Sequence, residues 1–242
     1  MNRAYIGALL WLVGCGGDVE PVSQPLAQEE AEEPAAGFVV LDVGPAGRLL
    51  GIPHEAPPNA DPDRVVTLRV EPASLAPELD GLAVLDARFV GDGLVLIDTE
   101  HALLHRGALE TAGEMVTLDV SVHGPIAVRD TTVAYTVGEA PFLEVARADV
   151  ETGLREQLTR DLAPTWNPAL GPDGEIYVVS GATGGPRLLR LLPLGEGEPT
   201  VIPTERFPAS VRAPVVEDGQ LIFEDESGER VRLAVPSRGG AR

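Results

Sequence analysis

Four histidines, one cysteine and a scatter of acids are the residues of this 242-residue chain with the clearest capacity for chemistry. His101 and His105 in TEHALLHRG stand four apart, a spacing that places both on one side of a strand or on successive turns of a helix, with Asp98 and Glu100 beside them. Two imidazoles and a carboxylate could begin a zinc shell. A dedicated site needs three or four ligands in fixed geometry, and nothing nearby in the chain completes this one, so a solvated hairpin is the simpler reading. His54 and His123 stand apart from the pair. Asn59 to Asp63 (NADPD) offers oxygen ligands, but lacks the Asp-x-Asp-x-Asp-Gly loop and the following Glu of a calcium site. Ser180 to Pro186 (SGATGGP) is rich in glycine, yet it lacks a Gly-Lys-Ser/Thr ending and lies between strand-like runs rather than ahead of a helix. It reads as a hairpin loop. No Gly-x-Ser-x-Gly elbow occurs. These patterns lead to no expected catalytic residue, metal ligand or cofactor.

The single cysteine, Cys15, belongs to another pattern. Residues Ile6 to Val13 (IGALLWLV) form an unbroken apolar run behind Arg3. As a helix this run would rise about 12 Å against a hydrocarbon core of roughly 30 Å, so it is too short to span a bilayer and has the length of a signal-peptide core. Its end, Leu12-Val13-Gly14-Cys15, resembles the bacterial lipobox. That resemblance implies a signal peptide over residues 1–14, cleavage before Cys15, diacylglycerol on the Cys15 thiol, and a further acyl chain, palmitate among the candidates, on the new amino terminus. Two or three acyl chains, at about 0.8 kcal/mol per buried methylene, hold a protein on a membrane where one would not. The implied location is the bacterial envelope, facing periplasm or surface. Gly16, rather than Asp, follows the cysteine, which by the enterobacterial sorting pattern implies the outer membrane.

Composition narrows the classes further. The formal net charge is −20, a surface that repels phosphate backbones, and nucleic-acid binding is excluded on that ground. All 18 basic residues are arginine, as expected of a GC-rich coding sequence. With 44% apolar residues the chain has material for a core, and with one cysteine it has no internal disulfide. Residues 16–36 (GGDVEPVSQPLAQEEAEEPAA) carry six acids, no base and few large apolar side chains, so residues 15–36 read as a lipidated cysteine followed by an acidic disordered tether. The folded domain is expected over residues 37–242.

What must position any site in that domain is a set of short strands. Aromatics are scarce at 4%, while Gly (27) and Pro (22) are abundant, and β-branched runs such as FVVLDV, RVVTLRV, LAVLDARFV, TVAYTV, EIYVVS and QLIFED recur between turn residues. ERVRLAV alternates cleanly, as a half-buried strand should. The turns repeat: Asp92, Asp130, Asp173 and Asp218 each precede Gly or Thr and an apolar strand, spaced 38, 43 and 45 residues apart, with a weaker copy at Ala46. This is the period of propeller blades. Asp-Gly suits the hairpin between a blade's first two strands because that turn needs positive φ. The unit in APTWNPALGPDGEIYVVS, with Trp166, Pro172, Asp173 and Gly174, resembles the repeat of the TolB-like β-propellers.

About 206 residues at about 41 per unit predict an all-β, propeller-like domain of five four-stranded blades, with a two-sheet β-sandwich as the alternative. FVVLDV at the start of the domain could complete the last blade and close the ring by pairing the two ends, which would remove exposed strand edges. A lipid-anchored, non-catalytic binding or scaffolding module for a protein or glycan partner follows from these features. The alternative is a propeller hydrolase or lyase whose residues converge from several blades on the central channel.

Overall fold

The computed structural model describes residues 38–53, 65–72, 76–111, 113–160, 163–182, 185–192, 198–204, 206, 208 and 213–235. The signal peptide and tether expected over residues 1–14 and 15–36 lie outside these. No helix of the described residues is long and apolar enough to cross a membrane.

The strands in chain order are β1 (Phe38–Val43), β2 (Leu49–Pro53), β3 (Val66–Thr67), β4 (Arg69–Glu71), β5 (Ala83–Val90), β6 (Gly93–Asp98), β7 (Leu103–Arg106), β8 (Met115–Asp119), β9 (Val122–Arg129) and β10 (Thr132–Val137). They continue with β11 (Glu144–Asp149), β12 (Arg155–Gln157), β13 (Thr165–Leu170), β14 (Ile176–Ala182), β15 (Gly185–Leu191), β16 (Thr200–Val201), β17 (Val215–Glu217), β18 (Gln220–Glu224) and β19 (Arg230–Ala234). One 3-10 turn, Pro45–Gly47, is the sole helical element among the described residues.

These strands make five antiparallel sheets, ordered β1-β2-β4, β3-β5-β6-β7-β8, β9-β10-β11-β12, β13-β14-β15-β16 and β17-β18-β19. The sheets are the blades of a five-bladed β-propeller. The expected four strands per blade hold for the third and fourth. The second gains the short strand β3 at its inner side, and the first and fifth show three strands each.

The spaced turns fall where the period placed them, between the first two full strands of each blade. Positive φ recurs there: Ala46 (56°) and Gly47 (72°), Gly91 (54°), Asp130 (51°), Gly174 (82°), then Asp218 (49°) and Gly219 (70°). Asp and Gly recur because both enter this region at low cost and tie back a strand of right-handed twist.

Packing between blades follows from alternation along each strand. One buried cluster joins the first and second blades through Leu50, Val70, Phe89 and Leu96, and a second joins the second and third through Ile97, Leu103, Val133 and Tyr135. A third links Val145 with Val178 and Leu191, and a fourth links Tyr177 and Leu188 with Leu221 and Phe223. The inner strands β1, β5, β9, β13 and β17 are successive neighbours around the axis.

One expectation is corrected. FVVLDV does not pair with the last strand. As β1 it pairs with β2, in the register Val43↔Leu49 to Phe38↔Pro53, and it opens the first blade. A hairpin partner a few residues away costs far less loop-closure entropy than one at the far end of the chain. Among the described residues, β19 pairs with β18 alone.

Candidate functional site

Cys15, His54 and the Asn59 to Asp63 stretch lie outside the described residues. The others fall into place at the blade ends. His101 sits in the turn before β7, at φ 63°, rather than on the strand, and His105 is a strand residue opposite Val95 and Val116. The spacing of four therefore does not bring the two rings to one face. Burial lowers the pKa of His105. Asp98 is occupied by its own turn, accepting hydrogen bonds from the Glu100 and Ala102 amides at 2.9 and 2.8 Å. No group of three or more His, Cys, Asp or Glu able to hold a metal occurs among the described residues. The turn aspartates act as hairpin formers, and the described part of Ser180 to Pro186 belongs to the β14–β15 hairpin, with Gly181 opposite Pro186.

His101 does have an imidazole neighbour, the one the linear spacing missed. Its ring centroid is 4.9 Å from that of His123, with the planes 53° apart. The Nδ1 of His101 donates to the Val122 carbonyl at 3.0 Å, and the Nε2 of His123 donates to the Gly138 carbonyl at 2.8 Å. The pair stitches the β6–β7 turn to the start of β9.

Near the axis, two carboxylates perform a repeated task. The Asp42 Oδ2 accepts the Phe89 amide at 2.8 Å, joining β1 to β5, and the Asp86 Oδ2 accepts the Ile126 amide at 2.7 Å, joining β5 to β9. Asp86 is buried and also takes the Ala87 amide at 2.8 Å and the Arg88 Nη1 at 2.6 Å. Both aspartates sit at bulges in their inner strands, where the extra residue turns the side chain toward the next blade. Gly124 lies opposite Asp86, where an added Cβ would come to 3.4 Å from the Asp86 Cβ. The signal for these residues was the shared Val-Leu-Asp of FVVLDV and LAVLDARFV, which reads on its face as strand alone.

Farther out, the blade boundaries differ. Between the second and third blades the outer strands β8 and β12 are linked by the ion pair of Asp119 and Arg155, whose Nε stands 2.5 Å from Oδ2. Burial, reinforced by the Asp119 charge, pushes the Tyr135 hydroxyl well above its ordinary pKa beneath that pair. Between the fourth and fifth blades β16 has no such counterpart among the described residues, and a cavity of about 300 Å³ opens there. Tyr177, Arg190, Val201, Ile202, Leu221 and Leu233 are among its walls. Val201 is 54% exposed, and the Arg190 Nε is buried without a hydrogen-bond partner among the described residues. The wall is apolar with a cationic floor, suited to binding an apolar group beside a hydrogen-bond acceptor.

The architecture and this boundary define a class, the β-propeller, and known structures bear it out. No protein-family model matches the chain, and no curated protein matches it. A putative TolB from Agrobacterium tumefaciens matches with a TM-score of 0.53 at 14% identity, over 81% of this chain and 79% of that one. A structure of the Nidogen/Laminin complex matches with a TM-score of 0.54 at 12% identity, over 82% of this chain and 77% of that one. At these identities the likeness is one of fold, and the TolB-like resemblance read from the repeat is met at that level.

Proposed function

We propose that this is a lipid-anchored protein of the bacterial envelope, whose propeller is a non-catalytic module that binds or scaffolds a protein or glycan. The observation that carries the reading is the open apolar cavity between the fourth and fifth blades, set against axial carboxylates that are engaged by backbone amides. Asp42 and Asp86 act as acceptors that fix strands. A surface cleft with a half-buried cationic group suits recognition of a partner. The Nidogen/Laminin complex, a pairing of two proteins, gives a precedent for this fold in a protein complex.

The anchor rests on Leu12-Val13-Gly14-Cys15. Expressed in a bacterium, the protein takes up labelled palmitate and fractionates with membranes, the outer membrane first, and Cys15→Ser abolishes both. Soluble wild-type protein beginning at a residue other than Cys15 contradicts the anchor. Affinity capture of the lipidated protein from its own envelope tests the module. The expected result is one protein or glycan recovered in stoichiometric amount, and capture of the chain alone after mild cross-linking contradicts the reading.

A further inference from the structure

Resting on the binding-module reading, we propose that the outer edge of β19 is a docking edge that takes an extended strand from a partner protein, acidic residues alternating with apolar ones. The fifth sheet ends at β19, and no strand among the described residues pairs with its outer side. The hairpin fixes which groups face outward. The Asp225 amide donates to the Glu229 carbonyl and the Val235 amide to the Gly219 carbonyl, so by antiparallel alternation Val231 and Leu233 also bond inward to β18. The amides and carbonyls of Arg230, Arg232 and Ala234 are left pointing out, a row of donors and acceptors at the spacing an added strand requires.

The two faces of the edge state the chemistry of the occupant. Val231 and Leu233 are half-buried toward the fourth blade, and Leu233 and Ala234 line the cavity together with Val201, Ile202 and Arg190. Side chains of an added strand on that face enter an apolar cleft. On the other face Arg230 and Arg232 are exposed two residues apart; Arg230 stands opposite Glu224 of β18, whereas Arg232 stands opposite Ile222 and has no acid facing it across the hairpin. Directly opposed cross-strand pairs favour opposite charge, so acids on the incoming strand belong there. At the second and third blades, where each sheet ends in a further outer strand, opposite charges on β8 and β12 do meet, Asp119 with Arg155.

The test uses the full chain in detergent at about 0.15 M salt, where distant charges are screened. The probe is a fluorescein-labelled peptide, Glu-Val-Glu-Val-Glu-Val-Glu, read by anisotropy. Saturable binding is expected, weakened about tenfold or more by Arg232→Glu and by replacing the probe's glutamates with lysines. Ala234→Pro removes an outward N–H while sparing the bonds to β18, so it weakens binding to a similar degree with the melting temperature unchanged. No saturable binding, equal binding of the lysine peptide, or indifference to Ala234→Pro overturns the docking edge. Envelope capture separates the two claims: a partner recovered equally by wild type and Ala234→Pro sustains the module and overturns this edge as its site.

Discussion

The second and third blades meet through their whole depth, whereas the fourth and fifth meet only through their inner part. At the first boundary Asp86 holds the Ile126 amide near the axis, Tyr135 and its apolar neighbours fill the middle, and Asp119 with Arg155 clasps the rim. At the second, Tyr177, Leu188, Leu221 and Phe223 fill the middle, but the rim is a cavity between β16 and β19, whose outer edge is unpaired among the described residues. One repeated unit thus meets its neighbour in two ways: where the outer strands are bridged the boundary is sealed to the rim, and at the fifth blade the outer strand is left unpaired on its far side among the described residues.

That contrast predicts unequal costs. Tyr135 is fully buried, and Tyr135→Ala is expected to destabilise by about 3–5 kcal/mol, whereas Leu233→Ala, at a half-open boundary, costs about 1–2 kcal/mol. Urea unfolding of both variants measures the difference, and equal losses would erase the distinction. Next in size, Asp86→Ala leaves the Ala87 and Ile126 amides without their acceptor and Arg88 without its ion pair, at about 2–3 kcal/mol by the same assay. Gly174→Val places a β-branched side chain at φ 82° and is expected to cost about 1–2 kcal/mol, while the same change at a strand glycine of negative φ would report packing alone.

The smallest effect depends on pH. The Ser227 hydroxyl, the Glu229 amide and Arg206 hold the Asp225 carboxyl at about 2, below its ordinary 3.8. A folded-state pKa lowered in this way stabilises the fold fully above about pH 4, and the contribution disappears as pH falls toward 2. Asp225→Asn should therefore lower the melting temperature at pH 7 and match wild type near pH 2. A difference that persists at pH 2 would show that the side chain acts through something other than its charge.

Much of this architecture could be read in the chain, because a hairpin turn is a local device. Asp130 and Asp218, with Gly91 and Gly174 beside Asp92 and Asp173, supply the positive φ that such a turn demands, and the spacing of the four aspartates counts the blades. Strand number at the blade rims could not be read that way. It depends on pairing between short segments such as Val66–Thr67 and Thr200–Val201, two residues each, with little periodicity of their own. Ala148 to Leu158, a polar stretch with no period of two, forms the end of β11, a turn and β12, since sheet partners override weak local propensity. The inter-blade contacts were hidden for another reason. His101 with His123, Asp42 with Phe89, and Asp119 with Arg155 join residues from different blades or hairpins, and their separations of 22, 47 and 36 positions follow the topology rather than any local spacing. Val-Leu-Asp in two inner strands was the one visible trace of the axial aspartates.

Residue-resolved hydrogen exchange on the full chain tests the open boundary most directly. The Arg230, Arg232 and Ala234 amides are expected to exchange about a hundredfold or more faster than those of Val231 and Leu233, which are bonded to β18. Equal protection of all five amides would mean that a strand already covers the edge of β19, and would contradict the account.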